Sequence, residues 1–298
     1  MKRLIKVYNQ NRYIIWLSIL IITSIIVLIQ ILNNFLNKKN NYTNIEIQNT
    51  IPNAKNNNYS VISGAKVDEE ISSVIDEFMN YCNNGEIAKA YELLSSDCKN
   101  TLYPTLNDFV NGYYNKLLNK KNEYSYQAWI TNGNKYTYKI DFTEDMLSTG
   151  KSSTTSISDY YTVIKEKGKY ELNINKFIDT IDINKTKSKN NITIEVNKKN
   201  VYMNYEIYEI RIVNNTSSRI MIDSLEETNT IFLEDESGQK YYCSKTEVLE
   251  EDLSVGVAQG KTIELKFRKE YKPNKKVQTL KFSNIIINNK KLEFDIPL

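Results

Sequence analysis

The chain has 298 residues, 41% apolar and 25% charged, which admits two ordinary domains and excludes a wholly disordered polymer. Its net charge of +3 is concentrated at one end: Lys2, Arg3, Lys6 and Arg12 precede any acid, leaving 35 basic residues against 36 acidic ones. A remainder so close to neutral lacks the general electrostatic footprint of a nucleic-acid-binding protein, so no nucleic-acid partner is expected.

In chain order, residues 1-12 form a basic N-terminus assigned to the cytoplasm. From Tyr13 to Leu32 the sequence YIIWLSILIITSIIVLIQIL carries no charge, Pro or Gly, and at about 1.5 Å per residue it is long enough to cross a hydrocarbon layer of about 30 Å. Tyr13 and Trp16 suit the interface, and the positive charge before the run predicts a single-pass cell-membrane protein with its later domains extracytoplasmic. The predicted membrane helix is therefore 13-35. The Asn- and Lys-rich stretch 36-67 reads as a flexible linker with a span of roughly 30 Å.

At Asp68 a helical period begins, with Ile71, Val74, Ile75, Phe78 and Cys82 on one stripe and Gly85 as the stop. A second helix follows from Glu86 through Ala90, Tyr91 and Leu94, ended by Ser95-Ser96-Asp97. A third starts after Pro104, where Thr105 and Asp108 have capping-box spacing and Phe109, Tyr113 and Leu117 form the stripe. The period then changes to two. Tyr124, Tyr126, Ala128 and Ile130, then Tyr136, Tyr138, Ile140 and Phe142, flank an Asn132-Gly133 turn. A second hairpin runs through Tyr160 to Ile164 and returns from Gly168 through Leu172 and Ile174.

Three helices followed by four antiparallel strands, together with the stretch GEIAKAYELLSSDCKN, resemble the NTF2-like (cystatin-like cone) fold over residues 68-182. Beyond a polar break, residues 190-298 show only short alternating strands, such as Tyr208, Ile210 and Ile212, then Ile263, Leu265 and Phe267, then Leu292, Phe294 and Ile296. About seven strands with regular turn signals predict an all-β sandwich, similar to immunoglobulin-like domains. The expected fold class is thus α+β: a transmembrane helix, an NTF2-like cone and an immunoglobulin-like sandwich.

Histidine is absent from the sequence, which removes Ser-His-Asp and Cys-His catalysis and His-ligated metal sites. Cys82, Cys98 and Cys243 have no CxxC spacing, so neither a zinc site nor a redox pair is expected. A Cys82 to Cys98 disulfide is disfavoured, because helical spacing separates them by roughly 18 Å and a bridge needs Cα atoms within about 7 Å. The acidic turn Glu234-Asp235-Glu236-Ser237-Gly238 lacks the ligand pattern of an EF-hand and reads as a solvated hairpin turn.

Two groups of candidate site residues remain. Tyr91, Tyr113, Trp129, Tyr138 and Asp141 or Asp159 are candidates to line a cone pocket; the resemblance implies an Asp base with a Tyr donor, as in ketosteroid isomerases on that fold. Lys266, Arg268, Lys269, Lys272, Lys275 and Lys276 form the one dense basic stretch, suited to an anionic surface. The 22 tyrosines and heavy Asn and Lys usage fit the codon bias of an AT-rich bacterial genome. The expected function is a non-enzymatic binding or scaffold protein of the cell envelope, without cofactor, that meets an envelope protein partner or itself. One N-terminal span before a cone resembles the VirB8-like and TcpC-like subunits of conjugative transfer or secretion channels, which is one alternative; a small-ligand binder or isomerase-like enzyme is another.

Overall fold

The structure, a computed structural model, describes residues 59–61, 69–118, 122–144, 157–166, 168–246 and 248–298, all within one compact unit, Asn56–Leu298. The predicted N-terminus and membrane helix lie outside the described residues. Among the described residues no helix is long and apolar enough to cross a membrane. The membrane as partner and the single-pass, extracytoplasmic localisation are corrected to this extent: no described residue supports a membrane span.

Helix α1, Glu69–Asn83, buries Ile71, Val74, Ile75, Phe78, Met79 and Cys82 and opens on Glu69 and Glu70, where acidic groups favour the positive end of the helix dipole. Gly85, at φ +73°, takes the left-handed turn that stops it while the Glu86 amide donates to the Tyr81 carbonyl at 2.9 Å. Helix α2, Ile87–Glu92, is short. The Ser95-Ser96-Asp97 cluster does not end a helix but starts one: the Ser95 side chain accepts from the Cys98 amide and opens α3, Ser96–Leu102. The Thr105–Asp108 capping box forms as spaced, at the head of α4, Leu106–Phe109. This helix passes at once into a π-helix, Val110–Leu118, whose wider turn puts Tyr113 and Leu118, five residues apart, on the same buried face.

Five strands, β1 (Tyr59–Val61), β2 (Asn122–Asn132), β3 (Lys135–Glu144), β4 (Ile157–Glu166) and β5 (Lys169–Asn173), form an antiparallel sheet in sequence order. Strand β1 lies inside the stretch read as linker. The helices bury one face of this sheet through Phe78, Phe109, Tyr138, Ile140, Phe142, Tyr161, Val163 and Leu172.

The rest of the chain is β structure: β6 (Phe177–Lys189), β7 (Ile192–Tyr202), β8 (Glu206–Asn214), β9 (Ile220–Met221), β10 (Ile231–Asp235), β11 (Lys240–Ser244), β12 (Ser254–Val255), β13 (Gln259–Phe267), β14 (Val277–Ile287) and β15 (Lys290–Pro297). They make one ten-stranded sheet in the order β12-β9-β14-β10-β11-β13-β8-β7-β6, with β15 on β14. Strand β11 carries the continuity, pairing β10 through residues 240–242 and β13 through 243–244. The polar stretch after Asp182 is not a break: β6 continues to Lys189 with a bulge between Asp182 and Lys185, where Asn184 has φ +51°.

The expected fold class is therefore corrected. A three-helix cone followed by a separate sandwich does not form; the described chain is mostly β, with two antiparallel sheets and four α-helices, of which only α1 exceeds two turns. The physical reason is that polar residues end or start helices according to the caps they make, and turn polarity alone does not separate sheets. Ile130, Ile178, Val201 and Met203 form a small apolar cluster joining the five-stranded sheet to β6 and β7.

Candidate functional site

Of the residues expected to line a cone pocket, the structure brings together only Tyr113 and Asp159. The Tyr113 hydroxyl donates to Asp159 Oδ2 at 2.6 Å and lies 2.9 Å from the Tyr161 hydroxyl. Asp159 also accepts from the Tyr160 and Asn175 amides at 2.7 and 3.0 Å. All three side chains are buried. Burial pushes the Asp159 carboxyl up and the Tyr113 and Tyr161 phenols well up, which favours the neutral forms and makes the network part of the core. Elsewhere, Tyr91 donates to the Tyr103 carbonyl at 2.9 Å, Trp129 packs edge-on against Tyr160 at 5.7 Å, and Tyr138 packs edge-on against Tyr126 at 5.9 Å. Asp141 sits on the flank of β3, where the Ser158 hydroxyl and Lys139 outweigh desolvation and hold its carboxyl below the usual range.

The basic stretch divides. Lys269, Lys272, Lys275 and Lys276 line a groove of about 450 Å³ bounded by β6, β7, β8 and the segment between β13 and β14. Lys266 instead stacks over the Tyr205 ring at 4.6 Å. The size is that of ordinary ligand sites, about 300 to 1,000 Å³. Its charge is one-sided: Lys185, Lys199, Lys269, Lys272, Lys275 and Lys276 face Asp179, Asp182 and Glu206, six positive groups against three negative. Asp179 is moreover paired with Lys135, and Lys272 with Glu270 at 2.8 Å.

The base of the groove is built around Glu206, only 2% exposed. Its carboxylate accepts from Lys269 Nζ at 2.8 Å, Tyr208 Oη at 2.8 Å and Lys199 Nζ at 3.2 Å. Two ammonium groups share one carboxylate, so the cluster keeps one positive charge in excess. Desolvation alone would raise Glu206, but Lys199 and Lys269 outweigh it and hold the carboxyl below the ordinary glutamate range. Lys269 is sealed at 4% side-chain exposure while Lys199 remains 17% exposed, so Lys199 is the member an incoming anion meets. Tyr271 fixes the covering segment: its amide donates to the Met203 carbonyl at 2.9 Å and its hydroxyl accepts from Asn132 Nδ2 at 3.0 Å. The apolar part of the lining is Ile181, Ile183, Val201, Pro273, Val277 and Leu298.

Two of the central residues, Glu206 and Lys199, escape a search for charge runs. A signal for Glu206 is present all the same. Tyr208, Ile210 and Ile212 define the inward phase of β8, and extending it back by two lands on Glu206: a charge at a core position calls for buried partners.

The acidic turn after β10 is self-satisfied. Asp235 Oδ1 accepts from the Ser237 hydroxyl and amide at 2.6 and 2.9 Å and from the Gln239 amide at 3.0 Å, while Oδ2 accepts from Tyr241. No group of three or more carboxylate or thiol side chains is placed to hold a metal ion among the described residues. Cys82, Cys98 and Cys243 are free thiols. No protein family, curated protein or solved structure matches the chain.

Proposed function

We propose that this chain is a non-enzymatic binding protein whose basic groove receives an anionic group of its ligand. The observation that carries the reading is the Lys199–Glu206–Lys269 cluster at the base of the groove: a buried carboxylate fixes two lysines and leaves one positive charge uncompensated. Lysines held in place this way lose less side-chain freedom on binding than free surface lysines, and Lys272, Lys275 and Lys276 add long-range attraction. Binding rather than catalysis is favoured because histidine is absent from the sequence and because the Asp–Tyr pair suited to proton transfer is locked in the core.

The test is titration of the 15N-labelled full-length chain with citrate at low salt. Shifts concentrated at the amides of Lys199, Tyr208 and Tyr271, and lost in a K199M variant, are the expected result. Shifts scattered over surface lysines outside the groove would refute the reading.

A further inference from the structure

We infer that the anionic ligand is an acidic peptide segment in extended conformation, added as a strand along the free edge of β6. This rests on the anion-binding reading above and specifies its ligand class. Strand β6 ends the ten-stranded sheet, and among the described residues its only strand partner is β7. Unpaired amides and carbonyls along such an edge are a template for another extended chain. Proteins commonly blunt edges with bulges and lysines. Here the blunting is uneven: bulges fall between Phe177 and Asp179 and between Asp182 and Lys185, while Lys187 and Lys189 guard the distal end. Two stretches keep regular register, the lysine-bearing Lys185–Lys189 and Asp179–Asp182; the latter gives about 13 Å of strand at roughly 3.3 Å per residue.

That stretch is the one the groove tracks, since Asp179, Ile181, Asp182 and Ile183 all line it. Ile181 is 40% exposed, so the groove face of the strand has room for a neighbouring side chain. Of the two acids, Asp179 is paired with Lys135, which leaves Asp182 as the one an incoming carboxylate must avoid. An extended peptide projects alternate side chains to opposite faces. Ile181 and Lys199 are register partners and share the groove face, so a peptide with acidic residues on that face and β-branched residues on the other would set its carboxylates toward Lys199, Lys272 and Lys275. A lipid headgroup or a nucleic acid matches the lysines but not the backbone donors and acceptors of β6.

The experiment uses the full-length chain and a fluorescent decapeptide of alternating Glu and Val, read by anisotropy. Four further probes accompany it: the same peptide N-methylated on alternate residues, citrate, an anionic phosphatidylglycerol vesicle and a ten-base oligothymidine. The unmodified peptide is expected to bind, to weaken with salt, and to lose roughly tenfold in affinity in K272E/K275E/K276E, as the sum of three surface pairs implies. N-methylation, which removes the backbone donors and leaves the charge, is expected to abolish binding. Equal binding of the methylated peptide overturns the inference, as does lysine-dependent binding of vesicle or oligonucleotide without peptide binding. If citrate perturbs the groove and the peptide does not bind, the anion-binding reading stands and the strand-addition inference fails. If neither binds, both fail.

Discussion

Replacing Glu206 with Gln keeps the shape of the side chain and removes the charge on which two lysines depend. In the wild type the carboxylate lies 2.8 Å from Lys269 Nζ and 3.2 Å from Lys199 Nζ. Removing one member of a buried ion pair costs about 3 to 5 kcal/mol, because the remaining charge stays desolvated. Lys199 is 17% exposed and regains part of its hydration, so the lower end, about 3 kcal/mol, is the appropriate figure. At roughly 2 to 4 °C per kcal/mol for a unit of this size, E206Q should melt about 6 to 12 °C below wild type. The pH dependence comes from the direction of the shift. Glu206 is held below its ordinary value, so its contribution is complete above the unfolded pKa of about 4.3 and is lost as pH falls through the folded value. The gap between wild type and E206Q, followed by calorimetry, should therefore be flat at neutral pH and shrink on acidification below that range. An E206L/K269M double variant should lie above the sum of its two single variants, since an apolar pair removes both desolvated charges together. Melting of E206Q within about 2 °C of wild type, with no dependence on pH, would refute the claim that this pair organises the groove.

Two other predictions concern the core. Tyr113→Phe removes the donor closest to Asp159, 2.6 Å away, and should cost about 1 to 2 kcal/mol by urea unfolding. Because burial raises Asp159, its favourable contribution is present below the ordinary aspartate range and lost as pH rises through the folded value; without the Tyr113 donor the carboxylate is poorer still, so Y113F should lose stability more steeply over that rise. Burial pushes the Cys82, Cys98 and Cys243 thiols up to about 12, so at pH 8 iodoacetamide should label the folded chain slowly and all three cysteines rapidly in urea, by mass spectrometry.

Local structure was legible where one physical signal acted alone. The stripe from Ile71 to Cys82 became α1, and the Thr105–Asp108 pair became a capping box. Polar clusters misled because the same residue types both start and stop elements. Ser95 could be read as the end of one helix, yet its side chain accepts from the Cys98 amide and begins another. The Asn-rich run from Asn184 to Asn191 likewise reads as a boundary, while in the structure its first residue is a bulge and its last two make a hairpin turn. Asparagine tolerates positive φ, so it serves inside a bulged strand as readily as between domains. Sheet order was beyond periodicity altogether. Alternation marks which strands have a buried face, and it carries nothing about the switch of partners along β11 that joins ten strands into one sheet.

The same limit decided how the site could be found. A dense run such as Lys266 to Lys276 is visible at once, but density in sequence is not convergence in space: Lys266 turns to the Tyr205 ring while Lys199, some seventy residues earlier, joins Lys269 on Glu206. What gathers them is a phase violation. A charge at the inward position of β8 can be tolerated only if the fold supplies partners, and the partners it supplies are cations from β7 and from the segment after β13. Unlike the runs of lysine, which solvation alone explains, Glu206 has no solvent to satisfy it. The groove is therefore anchored by an acid whose two basic partners outnumber it, and it is Lys199 and Lys269, not Glu206, that leave the base of the site positive.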